Sequence, residues 1–132
     1  MLFIDANIFL AGDNLRDVHH NKAVELWKEI ETGQYGNYFT TDYVFNEVMG
    51  VTGRKFGKER AVLLGEHILR SIFILNVDEH MLAQAWKIFS TTELHLNMTD
   101  CTHIAVMKAS SVLFIATFDK EFTKISWMEV IS

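Results

Sequence analysis

Val112-Leu113-Phe114-Ile115-Ala116-Thr117 runs straight into Phe118-Asp119, and the fold turns on how this stretch is read. Its apolar residues are continuous rather than alternating, so both faces of the predicted strand must be covered. Leu2-Phe3-Ile4 before Asp5, Tyr38-Phe39-Thr40 and Ser71-Ile72-Phe73-Ile74-Leu75-Asn76-Val77 are further predicted strands, and residues 127–131 make a last one. Helical patterns separate them. Ala23, Leu26, Trp27 and Ile30 share one face within 17–31, and Val44, Val48 and Val51 stripe a helix over 42–56. Gly57 breaks that helix from another over 58–70. A helix over 79–93 is expected to bury Leu82, Ala85, Trp86 and Phe89, and one over 99–110, with Thr99 as its N-cap, is apolar on most sides. Short buried strands alternating with helices predict an α/β fold, a parallel sheet covered on both faces.

Composition sets the bounds. A chain of 132 residues that is 49% hydrophobic and 22% charged buries a full core and reads as one domain over 1–132. It has no proline from which a stiff linker could be built. A single cysteine, Cys101, excludes an internal disulfide and a cysteine-based zinc site, and fits a reducing, cytoplasmic setting. The longest uncharged runs, 32–41 and 109–118, are ten residues each, against the ~20 a membrane helix needs, so no membrane span or signal peptide is expected. A net charge of −5 means that affinity for a nucleic acid would have to come from a local basic patch or from bound metal ions.

Four acids stand in unusual places. Asp5 ends the first strand and Asp119 follows the strongest one, where α/β sheets build their sites. Asp100 falls in a first helical turn on the same face as Ile104 and Met107. Glu47 is flanked by Val44 and Val51 on an otherwise apolar stripe, a costly position for an unpaired carboxylate. Each has an ordinary reading taken singly: helix cap, dipole partner, turn opener or ion pair. A shared Mg²⁺ or Mn²⁺ explains all four together, because hard oxygen ligands suit these ions and crowded carboxylates repel without one.

The surrounding motifs are familiar. Asp5-Ala6-Asn7 resembles the opening motif of PIN-domain ribonucleases. Thr40-Thr41-Asp42-Tyr43-Val44-Phe45-Asn46-Glu47, Leu96-Asn97-Met98-Thr99-Asp100 and Thr117-Phe118-Asp119-Lys120-Glu121-Phe122 resemble the segments carrying the family's second, third and fourth acids. The order and spacing match over essentially the whole chain, most closely those of the small VapC-like toxins of toxin–antitoxin pairs. The resemblance implies a three-layer α/β/α fold with a five-stranded parallel sheet of order 3-2-1-4-5. It also implies a Mg²⁺- or Mn²⁺-dependent endoribonuclease, a homodimer and a VapB-like antitoxin. Carried over, Asp5, Glu47, Asp100 and Asp119 match the catalytic quartet, with Asn7 and Thr117 the polar positions beside it. Asp5 and Asp100 would be the main metal ligands, Asp119 would complete the shell, and Glu47 would orient water or hold a second ion. The first three carboxylates are expected to converge on one pocket with Glu47 on its rim. Asp5→Asn is expected to leave folding intact or improved.

Other residues carry weaker signals. Arg54, Lys55, Lys58 and Arg60 lie within seven positions, which suits either an RNA-backbone contact or a solvated surface. His103, three residues after Asp100, reads as a half-buried histidine, and His19-His20 make a poor ligand pair. Cys101 reads as a small core residue. Adjacent apolar pairs, Leu63-Leu64 and Ile68-Leu69, predict a dimer built around residues 42–70 that charged substitutions at Leu64 or Ile68 would break. Two other classes stay open: a receiver-like signalling domain, which Asp78 suits but Ala6 beside Asp5 does not, and a non-catalytic PIN-like binding module.

Overall fold

A computed structural model describes residues 1–132. The chain runs β1 (Leu2–Ile4), α1 (Ala6–Asp13), α2 (His20–Glu31), β2 (Tyr38–Thr41), α3 (Asp42–Phe56), α4 (Lys58–Ser71), β3 (Phe73–Leu75) and α5 (Glu79–Thr91). It continues with α6 (Met98–Ala109), β4 (Phe114–Ala116), a 3₁₀ turn (Lys120–Lys124) and β5 (Glu129–Ile131). All four strand pairings are parallel, and the order is β3-β2-β1-β4-β5. This is the order expected from the family motifs. It differs from the 2-1-3-4-5 order of receiver-type sheets, which removes that alternative.

β1 is the central strand, and all three of its residues are buried. Phe3 pairs with Phe39 on one side and Ile115 on the other, so the least polar run of the N-terminus ends up furthest from water. The chain winds outward from β1 to β2 and β3, then returns across the sheet to β4 and β5. The switch point therefore lies between β1 and β4, the crevice where such sheets place ligands. The Asp5 N–H donates to the Ala116 carbonyl at 3.0 Å, carrying the β1–β4 ladder one residue past the strand and into that crevice.

α1 packs against both α2 and α3, and α3 against α4, while α5 packs on α6. α6 is buried from Cys101 to Met107, which accounts for its apolar residues on most sides. Its N-cap is Asn97 rather than Thr99. Asn97 and Asp100 form a capping box in which each side chain accepts the other's backbone N–H.

Two expectations about packing are corrected. Of the four α5 residues expected inside, only Ala85 is buried; Leu82, Trp86 and Phe89 are 41%, 61% and 39% exposed. The helix turns its Met81–Ala85–Ile88 side inward instead, and both sides are apolar enough that periodicity could not choose. On α4, Ile68 is a fully buried core residue and Leu64 packs against the core, while Leu63 and Leu69 face water. A charge at Ile68 would thus unfold the chain rather than split a dimer.

Candidate functional site

Each acid is held by the local structure that follows its strand or opens its helix. Asp5 caps α1, Asp100 closes the capping box of α6, and Asp119 caps the 3₁₀ turn through Glu121 N–H at 2.9 Å. The ordinary capping roles are therefore real, and they fix the side chains. One oxygen of Asp100 and one of Asp119 are engaged in capping, while the other oxygen of each has no hydrogen-bond partner in the protein. Glu47, a turn and a half into α3, accepts no hydrogen bond and lies at the surface.

Asp5 differs. It is buried, and four donors surround it. Oδ1 accepts Ala6 N–H at 2.7 Å and lies 3.2 Å from His103 Nε2; Oδ2 accepts the Thr117 hydroxyl at 2.7 Å and the Asn7 amide at 3.3 Å. A carboxylate offers about four lone-pair directions, and two of the four contacts here, His103 at 3.2 Å and Asn7 at 3.3 Å, are long ones. Burial works to raise its pKa, but His103 and the hydroxyl and amide donors outweigh it and hold the group below the ordinary value. Asp5 is a buried, ionised carboxylate.

Thr117 and Asn7 tie the two sides of the crevice together. The Thr117 hydroxyl donates to Asp5 and accepts from the Asn7 amide at 3.0 Å and Asp119 N–H at 3.1 Å. Asn7 Oδ1 accepts Phe118 N–H at 3.1 Å. Sequence reasoning singled out both residues; the bonds give each a task, binding the loop after β4 to the start of α1.

Sequence reasoning underrated His103. It is 1% exposed rather than half-buried, packed between Phe3 and Phe122, and its Nε2 serves Asp5. Because the carboxylate is ionised, Nε2 must carry the proton. Nδ1 is buried and has no hydrogen-bond partner. The only signal for this was the i+3 spacing from Asp100.

Glu47 and Asp100 feel the other acids. Glu47 has its pKa raised by crowding of the protein around it, then by the charges of Asp5 and Asp100, against a lowering by His103. Asp100 is raised by burial and by Asp119 and Asp5, with Asn97 N–H and His103 opposing. As the side chains lie, no three Asp, Glu, His or Cys groups are gathered closely enough to hold one ion. The donor chemistry fits a hard divalent cation: carboxylate oxygens, two of them already oriented by caps, and no sulfur.

The basic cluster lies elsewhere. Arg54, Lys55, Lys58 and Arg60 sit at the α3–α4 junction, roughly 10 Å along α3 from Glu47 at 1.5 Å per residue. Arg60 is engaged there, paired with Asp13 at 3.0 Å and lying over the Phe56 ring at 4.2 Å. A cleft of about 670 Å³ between α1, α2 and α4 is lined by residues such as Phe9, Trp27 and Leu64 and contains none of the four acids.

A parallel sheet of this order with Asp5 and Asp119 following its two switch-point strands defines a class, and the PIN domain family model matches residues 2–128. The chain belongs to the PIN domain family. Among curated proteins it is 25% identical over 132 residues to the 23S rRNA-specific endonuclease VapC20 of Mycobacterium tuberculosis (strain CDC 1551 / Oshkosh), covering 98% of each. The crystal structure of M. tuberculosis VapC20, a sarcin-ricin-loop-cleaving toxin, superposes with a TM-score of 0.83 at 22% identity over 94% of each chain. VapBC2 from Rickettsia felis, bound to a DNA fragment from its promoter, matches with a TM-score of 0.76 at 14% identity, covering 99% of this chain and 98% of that one. The receiver-like reading ends here as well. No helix is long and apolar enough to cross a membrane.

Proposed function

We propose that this chain is a metal-dependent endoribonuclease of the VapC type, one domain over 1–132 acting in the cytoplasm as the toxin of a VapBC-like pair. The observation that carries the reading is geometric: Asp5 and Asp119 follow the two switch-point strands β1 and β4 and are tied together through the Thr117 hydroxyl, which donates to Asp5 and accepts Asp119 N–H. A single apolar core reaching from Leu2 to Met128 supports the one-domain reading. The curated VapC20 relative supports an RNA substrate, and the VapBC structural neighbours support a VapB-like protein partner. The same likeness supports a homodimer.

Asp5, Asp100 and Asp119 would hold Mg²⁺ or Mn²⁺. When bound, the ion activates water for attack and neutralises charge building on the phosphate. The chain's own residues do the rest. His103, Thr117, Asn7 and Ala6 N–H keep Asp5 ionised and fixed in direction. The caps of Asp100 and Asp119 leave each with an oxygen for an external partner. Glu47, whose pKa is raised, would orient the attacking water and accept its hydrogen.

The test is cleavage of RNA by purified protein in chelator, then with Mn²⁺ restored. Activity that vanishes in chelator and returns with Mn²⁺ supports the reading; cleavage undiminished in chelator overturns it. Binding should also be visible without turnover. Mn²⁺ should raise the melting temperature, and more so as pH rises from 5 to 8, because protons compete with the ion for Asp100, whose pKa is raised.

A further inference from the structure

Beside the acids lies a feature that this chemistry leaves unused. The His19 and Phe118 rings stack face to face, with centroids 4.6 Å apart and planes 18° from parallel. His19 comes from the segment between α1 and α2 and Phe118 from the loop after β4, so two distant parts of the chain meet there. Both rings are only half-buried. They border a notch of about 80 Å³ that also touches Thr117, Asp119, Lys22 and Lys120. Such a notch has room for two or three waters or a phosphate edge, not a base. Lys22 and Lys120 are exposed, and neither forms an ion pair.

Resting on the RNA-hydrolysis reading above, we propose that this shoulder is a nucleotide subsite. A base of a single-stranded RNA continues the His19–Phe118 stack, and the adjoining phosphate sits between Lys22 and Lys120. The placement follows from bonds already described. Phe118 stands between Thr117 and Asp119, and its backbone N–H is held by Asn7, so a base stacked on it lies one residue from the acids. The chain is acidic overall and its acid pocket repels phosphate. The two unpaired lysines therefore supply positive charge where the strand must approach, whereas the Arg54–Arg60 cluster is remote and partly engaged. Aromatic faces accept any base, so the subsite fixes where the strand lies rather than its sequence.

The experiment uses a single-stranded decaribonucleotide carrying one 2-aminopurine, held in EDTA so that binding is read without cleavage. Stacking should quench the fluorescence when wild-type protein binds. Phe118→Ala and His19→Ala should each weaken binding about tenfold and remove the quench. Phe118→Tyr should retain both, which separates stacking from mere packing if an alanine variant folds poorly. Lys22→Gln and Lys120→Gln, both at exposed positions, should each flatten the dependence of log affinity on log salt by about 0.7. In Mn²⁺, the His19→Ala loss should fall on KM rather than kcat. Quench and affinity unchanged in folded Phe118→Ala and His19→Ala, or a salt slope unmoved by both lysine changes, would overturn the subsite even if the wild type cleaves RNA. A wild type that binds and quenches but never cleaves in Mn²⁺ would instead sink the hydrolase reading and leave the subsite standing.

Discussion

Asp5 and Glu47 carry charges with opposite effects on stability. Asp5 has a lowered pKa in the fold, so its ionised form contributes stability that is present above the unfolded pKa and lost as pH falls through the folded one. Asp5→Asn should therefore abolish cleavage and also destabilise the chain, by about 1–3 kcal/mol, since an amide nitrogen would face donors that need an acceptor. This reverses the expectation that relief of repulsion would leave the fold intact or improved. Glu47 has a raised pKa. Its contribution is present below the unfolded pKa and lost as pH rises through the folded one, so Glu47→Gln should raise the metal-free melting temperature at pH 7 and change little at pH 4. Melts of both variants at the two pH values check the signs. An Asp5→Asn protein more stable than wild type at pH 7 would refute the assignment of Asp5 as a satisfied carboxylate.

At the scale of elements, the α3–α4 hairpin turns at Gly57, whose φ of 93° and ψ of 167° fall in a region essentially reserved for glycine. Nothing lies within 4 Å of where a Cβ would stand, so Gly57→Ala tests the backbone alone. It should cost about 1–3 kcal/mol in denaturant unfolding without altering metal binding, because the hairpin's far end does not touch the acids. A neutral effect would mean that the turn relaxes to a form other residues adopt. The capping box of α6 and the cap on the 3₁₀ turn show the opposite economy: the same aspartates that begin an element also present an oxygen at the crevice.

Across the whole molecule, the apolar surface left uncovered indicates where a second copy would sit. Leu82, Trp86 and Phe89 form one exposed stripe on α5, with the two aromatic rings 6.0 Å apart and no charged residue between them along it. The exposed residues of α4 are less suited, because the Val62–Leu69 stripe contains Glu66, which is paired with Arg70 at 3.5 Å. Aromatic anchors of this kind dominate interfaces. Sedimentation at micromolar concentration should give about twice the mass of one chain. Trp86→Glu should shift it toward monomer with the melting temperature of the monomer unit retained, since the side chain is already in water. A dimer undisturbed by Trp86→Glu but broken by Leu63→Glu would return the interface to α4.

Much was legible from residues 1–132 alone because local physics wrote it there. Continuous apolar runs ending in Asp5 and before Asp119 marked buried parallel strands, and the spacing of Glu47 and Asp100 on helices singled out the other two acids. The α3 and α4 boundaries followed from Gly57. Tertiary structure alone decided which of two apolar sides of α5 faces inward, because that depends on the surface α6 offers and not on α5's own period. It also decided that His103 is wholly buried against Asp5 and that His19 meets Phe118. Both pairs join residues about a hundred positions apart, and no local pattern encodes the closing of such a distance. The gathering of four donors around Asp5 is of the same kind. A sequence displays the carboxylate, but only the packed chain brings Thr117 and His103 to it, and that is what makes its charge stabilising rather than repulsive.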